Sequence, residues 1–211
     1  MVILADLGLD VQQYSREFPK LIFPQPSTCP HCGTAKRLVG HGSYPRTVCD
    51  HHEVFAIRVK RLLCKVCHRT LSLLPSFCLP YRHYLASTIQ SVISLRVQAA
   101  CSWKTIRQRF LPSDVPTPTT CREWTGSFVR ASSSYLGQLM RQLATWQLAP
   151  GKLELVVEDV AGSAKTAQQL LAAVPHLLAW LQERGLKAGD GSNWLVTLTR
   201  WGQALKLGRL V

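Results

Sequence analysis

The chain has 211 residues, 46% of them hydrophobic, and a formal net charge of +13 with a pI of about 9.8. That apolar content excludes a disordered tail, and the charge favours a polyanionic partner, with an incidentally basic surface as the alternative. No apolar run approaches the roughly 18 residues that a membrane span needs, and the opening Met1–Ala5 run meets Asp6 too early for a secretory core.

The charge is concentrated. Residues 1–24 sum to −1, 25–84 to +7, 85–150 to +5 and 151–211 to +2. Eight cysteines with no signal core predict a reducing compartment, and metal rather than disulfides. The expected location is the cytoplasm, in association with the nucleoid.

Residues 1–24 mix short apolar runs with Asp10 and Glu17 and read as a packing segment, one strand and one short helix. Pro24-Gln25-Pro26 leads out of it as stiff extended chain. Residues 25–80 hold two Cys-x-x-Cys pairs, Cys29/Cys32 and Cys64/Cys67. Four thiolates in two such pairs suit one tetrahedral zinc ion, and the site is structural because no coordination position stays open for a catalytic water. Gly33 supplies the backbone freedom that the first turn needs after its second sulfur. Between the pairs, Arg37–Gly40 and Glu53–Leu63 read as strands of a small antiparallel ribbon, with His41–Arg46 as a turn or irregular edge. Phe55, Ile57 and Val59 fall on one face, with Arg58, Lys60 and Arg61 toward the other. Lys36, Arg37, Arg46 and Arg69 add to the basic surface of this ribbon. Cys49-Asp50-His51-His52, with Cys78 and His83, offers either a second metal site or a polar loop.

Residues 81–150 turn helical. Leu85, Ile89, Val92, Ile93 and Val97 have helical spacing. Ser102 can N-cap a second helix, on which Trp103, Ile106 and Phe110 share a face. Thr120 and Glu123 form a capping-box pattern for a third helix, which Ser132-Ser133-Ser134 could break. Read as a helix-turn-helix, this third helix would begin at Cys121 and enter the major groove. Arg122, Thr125 and Arg130 would then meet DNA, supported by Arg82, Lys104 and Arg107. The proline-rich connector Leu111–Pro118 is longer than the usual turn of that motif, so a structural helical bundle stays open.

Residues 151–211 read as a helical, partner-docking part. Ser163–Arg184 is amphipathic, with Pro175 as a break or kink. Trp194 and Trp201 lie seven residues apart, so one helical face can carry both. With Arg200 beside them, they either pack internally or anchor a partner protein. The expected fold class is α+β: a small antiparallel zinc ribbon, a helix-turn-helix-like helical region and a helical C-terminal part.

Four stretches carry a resemblance. Cys29-Pro30-His31-Cys32-Gly33, His41-Gly42-x-Tyr44 and Arg61-x-x-Cys64-x-x-Cys67-x-x-Thr70-Leu71-Ser72 together resemble the N-terminal zinc ribbon of many bacterial insertion-sequence transposases. Leu74-Pro75-Ser76-Phe77-x-Leu79-Pro80-Tyr81-Arg82 is similar to a family of short transposon-associated proteins of unassigned function. The likeness covers roughly residues 25–130 and implies a bacterial mobile-element origin and DNA binding. His68 departs from the glycine usual after the last cysteine, which puts the shape of the second turn in question.

Residues 151–211 are expected to be too short for a transposase catalytic domain. Strand transfer needs two metal ions held by separated carboxylates, and residues 151–211 offer only Glu154, Glu158, Asp159, Glu183 and Asp190. Gly162-Ser163-Ala164-Lys165-Thr166 lacks the spacing of a phosphate loop and reads as a helix start. The expected function is that of a non-enzymatic, double-stranded-DNA-binding accessory protein of a transposition system. It would recruit a transposase or transposition ATPase, with no membrane partner. The alternatives are a stand-alone transcriptional regulator and an incomplete transposase or nuclease subunit.

Overall fold

Four strands pair in the order β1-β4-β3-β2 in the computed structural model, which describes residues 1–110, 116–145, 163–183, 193–207 and 209–211. The strands are β1 (Val2–Ala5), β2 (Leu38–Cys49), β3 (Val54–Cys64) and β4 (Thr70–Pro75). The helices are α1 (Val11–Glu17), α2 (Ala86–Ile93), α3 (Trp103–Gln108), α4 (Pro118–Thr145), α5 (Ala164–Glu183) and α6 (Trp194–Ala204). The chain divides into two compact units, Met1–Ser87 and Thr88–Val211. The fold is thus mixed α+β, with the sheet in unit 1 and most of the helix in unit 2. None of the described helices is long and apolar enough to cross a membrane.

In unit 1, β2 and β3 form an antiparallel hairpin, and β4 returns antiparallel to β3. The Asp50 carboxylate shapes the hairpin turn by accepting from the His52 amide at 2.6 Å and the Glu53 amide at 2.8 Å. That polar turn is what Cys49–His52 forms. Among the described residues, no second cluster of three or more potential metal ligands comes together. β2 runs unbroken through the expected turn at His41–Arg46. It accommodates one extra residue as a bulge between Gly40 and Ser43, where Gly42 takes φ +71°.

The N-terminal segment does not stand apart. β1 joins the sheet parallel to β4, from Val2 opposite Ser72 to Ala5 opposite Pro75. Leu73 and Leu74 are neighbours and point to opposite faces, yet both are buried, so β4 is covered on both sides. One face carries Ala5, Leu62, Leu71 and Leu73, with Phe23 and Leu38 packed against them. On α1, capped by Asp10 and Gln13 in a reciprocal box, Tyr14 is fully buried. Its ring meets Phe18, Phe23 and Phe77 edge-on, and its hydroxyl donates to the Arg58 carbonyl at 2.7 Å.

Unit 2 is built from apolar helical stripes. Ile89, Val92 and Ile93 of α2 are buried, and the helix widens at Ser94–Gln98 into a π-helical turn. The Gln168 side chain of α5 donates to the Val97 carbonyl of that turn at 2.9 Å. Ser102 caps α3 as the sequence expects, accepting from the Thr105 amide at 3.1 Å. α4 differs from expectation at both ends of its first half. It starts at Pro118, capped by Thr117 through the Thr120 amide, not by a Thr120–Glu123 box. It then passes through the three serines, because Ser132 is buried and donates back to the Phe128 carbonyl at 2.7 Å. α5 likewise continues through Pro175.

α6 completes this unit. Trp194 meets Phe128 and Trp201 meets Tyr135, with ring centroids 5.5 and 6.1 Å apart. Gly202 lies so close to Tyr135 that a Cβ there would sit 2.1 Å from the phenol oxygen. Gln90 accepts from the Leu195 amide at 3.1 Å, fixing the start of α6 against α2. The two tryptophans thus pack one side against α4 while staying half-exposed. Arg200 beside them is half-buried.

Candidate metal centre

Two tight turns bring the four sulfurs together, and the sheet register brings the turns together. In the first turn the Gly33 amide donates to the Cys29 carbonyl at 2.8 Å. In the second the His68 amide donates to the Cys64 carbonyl at 3.0 Å, the same four-residue relation. Gly33 takes φ +73° and His68 takes φ +56°, so the residue after the second cysteine is left-handed in both. The histidine thus leaves the shape of the second turn intact, and meets there a strain that the glycine avoids. Cys64 is the last residue of β3 and pairs with Leu38, the first of β2. The Lys65 amide also donates to the Arg37 carbonyl at 3.0 Å, tying the second turn to the entry of β2.

All four sulfurs lie within 4.8 Å of one another. The Cys29–Cys67 separation is 3.8 Å and the Cys32–Cys64 separation 3.7 Å. A tetrahedral ion with metal–sulfur bonds of about 2.3 Å sets its sulfurs about 3.8 Å apart. The cluster can hold one metal ion. Cys29 and Cys64 are buried, Cys67 half-buried and Cys32 exposed.

The thiols differ in acidity. The Thr34 hydroxyl, 3.4 Å from the Cys32 sulfur, and the Thr34 amide hold Cys32 down to about 6. Backbone groups of Cys67 and Val66 draw Cys64 below the usual thiol range. Cys67 has a backbone hydrogen bond at Arg69 that favours its thiolate, yet desolvation and the neighbouring sulfurs push it up to about 11. A fourth negative charge is thus resisted where three sulfurs already sit, and a dication removes that resistance. Two other cysteines are of a different kind. Burial pushes Cys78 up to about 12 and Cys121 up to about 11, so both stay protonated.

Positive charge collars the centre. Lys36, Arg37 and Arg69 are exposed on or beside the two turns. Lys65 joins them, though its only sequence signal is its place inside the second pair. No aspartate or glutamate occurs between Glu17 and Asp50, or from Val54 to Ser113. Part of this charge offsets the centre itself, since four thiolates around a dication leave two net negative charges. The His31 imidazole is drawn below its usual range, first by desolvation and then by positive charge that includes Arg69.

The remaining candidates divide. Arg58 is exposed and donates to the Ser43 hydroxyl at 3.0 Å, whereas Lys60 and Arg61 are half-buried. Arg46 is not a surface cation. Its guanidinium donates to the carbonyls of Leu79 and Arg82, and its Nε is buried with no hydrogen-bond partner among the described residues. It clamps the Leu79–Arg82 loop, and Arg82 is itself half-buried. In unit 2, Lys104, Arg107, Arg122 and Arg130 are exposed. Thr125 is not: it is 7% exposed, and its hydroxyl donates to the Cys121 carbonyl at 2.9 Å. Trp124 and Phe128 are buried on the same stripe, which removes Thr125 from any groove-facing surface.

Residues 29–108 are similar to a domain of unknown function (DUF6431). No curated protein and no solved structure matches the chain. The matched stretch opens at the first cysteine of the cluster, contains all four, and closes at Gln108, the last residue of α3.

Proposed function

We propose that the protein is a zinc-stapled, double-stranded-DNA-binding protein with no catalysis of its own, serving as an accessory subunit of a bacterial transposition system. One observation carries the DNA reading: a four-sulfur centre whose two contributing segments, residues 18–49 and 54–113, carry exposed cations and no carboxylate. Zinc suits the site because it favours four sulfurs in a tetrahedron and has no redox chemistry to disturb in a reducing compartment. The centre fixes the strand ends from which Lys36, Arg37, Lys65 and Arg69 project. Fixed cations meet phosphates without first losing backbone freedom. The α3–α4 region adds a second basic surface, with α4 offering Arg122 near its start. The link to transposition rests on the resemblance of the ribbon motifs to those of insertion-sequence transposases.

Duplex binding measured across salt concentrations tests the reading. If about six phosphates are neutralised, log K falls against log salt with a slope of roughly −5. A slope shallower than about −1 would mean that the collar meets no nucleic-acid backbone. Footprinting then places the protein: protection of an element end supports transposition, and protection of a promoter operator supports a regulator instead.

A further inference from the structure

Unit 2 holds a side-chain cluster that the metal centre does not explain. Arg96 comes from the π-helical turn and Arg122 from the start of α4, and both guanidiniums lie over one indole ring. The Arg96 Cζ is 5.2 Å from the Trp103 ring centroid, and the Arg122 Cζ is 5.7 Å from it. Both fall inside the roughly 6 Å range in which a ring face attracts a cation. Arg96 is held a second time, because its Nη1 donates to the Cys101 carbonyl at 3.0 Å. Trp103 is half-exposed, so the cluster opens to solvent.

Two like charges at one ring repel each other, and the local composition does little to relieve them. Residues 88–145 hold seven arginines and lysines against two carboxylates, Asp114 and, on α4, Glu123. Glu123 follows Arg122 directly and so projects about 100° further round the helix. The neighbours are cations instead: Lys104, Arg107 and Arg109 are exposed on and just after α3. A fixed pair of cations with further exposed cations close in sequence matches a chain of repeated anions better than a single small one.

We propose that Arg96 and Arg122, positioned by Trp103, form a clamp for the phosphodiester backbone of duplex DNA. This deepens, and rests on, the DNA-binding reading above. The two arginines are the contacting residues, and their outer N–H edges donate to phosphate oxygens. Trp103 is a positioning residue. It fixes the planes of two guanidinium forks before the ligand arrives, which lessens the side-chain freedom lost on binding.

The test uses the full-length, metal-loaded protein and a labelled duplex of random sequence, with each variant also followed by thermal melting. Arg122→Lys keeps the charge but removes the planar fork, and binding is expected to weaken about five-fold. Trp103→Leu should weaken binding by about the same factor and make the salt slope shallower by about 1, one phosphate contact fewer. Trp103→Phe keeps a ring face and should restore most of the affinity. The clamp is overturned if Arg122→Lys binds as the wild type does. It is equally overturned if Trp103→Leu leaves affinity and slope unchanged. Should Trp103→Leu melt early, the exposed Arg122→Lys substitution alone decides. Wild-type protein that fails to bind any duplex overturns the DNA reading itself; bound wild type with indifferent variants overturns the clamp alone.

Discussion

The two units hold themselves together by different means. Unit 1 has 87 residues, a four-stranded sheet and a small aliphatic cluster on one face of it, closed at one end by four sulfurs. Unit 2 has no such cluster among its described residues and relies on apolar stripes along α2, α4, α5 and α6. A unit of this size buries only a limited apolar core, and a metal ion bound by the four sulfurs would add folding free energy to it. The cysteines divide by setting within unit 1 itself: four gather at the sheet end, whereas Cys78 is buried as a protonated thiol, as Cys121 is in unit 2.

Removing the metal should break this comparison most visibly. Structural zinc in small sites contributes about 10–16 kcal/mol at neutral pH. Chelation, or Cys64→Ser, is expected to abolish the fold of residues 1–87 while the helical unit still melts cooperatively. Circular dichroism, with metal analysis of the same samples, reads this out. A Cys64→Ser protein that retains one metal ion at wild-type stability would sink the assignment.

The next effect concerns unit 2 alone. Deleting residues 193–211 strips Leu195, Val196 and Leu198 from the core and exposes Phe128 and Tyr135. Three buried aliphatic side chains are worth roughly 5 kcal/mol or more together. The truncated protein should be insoluble, or melt far below the parent, while still holding its metal. A stable, soluble truncation would instead favour Trp194 and Trp201 as an anchor for a partner protein.

What could be read before the structure follows from the range of the interactions involved. The four clustered cysteines were legible because a Cys-x-x-Cys turn is local. So were the strand and short helix within residues 1–24, the β3 strand and the Ser102 cap. β4 was not, because a strand buried on both faces, as Leu73 and Leu74 are, shows no alternation. Nor was the pairing of β1 with β4, which joins residues about 70 apart in sequence. His41–Arg46 reads as a turn because a bulge and a strand-breaking glycine share the chemistry of one. Thr125 reads as polar and therefore outward. Its hydroxyl is satisfied inside the helix by Cys121, so it can be buried at little cost. The Arg96–Trp103–Arg122 cluster needed the packing of three separate segments to become visible.

Cys78 offers a milder probe of unit 1. Its thiol is buried and pushed up to about 12, above the usual value near 9. The folded state therefore keeps a proton that the unfolded chain releases. The stability this contributes is full below about pH 9 and is lost as pH rises toward 12. At pH 10 the loss is about 1 kcal/mol. Replacing the thiol by Cys78→Ala should flatten the decline between pH 8 and pH 10 relative to the parent. Equal slopes in the two proteins would show that the buried thiol does not link to folding.

The smallest effect separates the two halves of the metal centre. Gly33 and His68 occupy the same place in the two turns, and both are left-handed. For an L-residue that conformation costs about 1–2 kcal/mol, which glycine escapes. His68→Gly removes the cost but gives the unfolded chain more freedom, which offsets about half of it. The net expectation is a gain of about 0.5–1 kcal/mol, seen as a slightly higher melting temperature with metal bound. Gly33→Ala should shift stability the other way by a similar amount. Its Cβ would meet no other atom within 4 Å, so only the backbone conformation is at stake. If both substitutions lower stability, the His68 side chain contributes something in the second turn that its backbone geometry does not reveal.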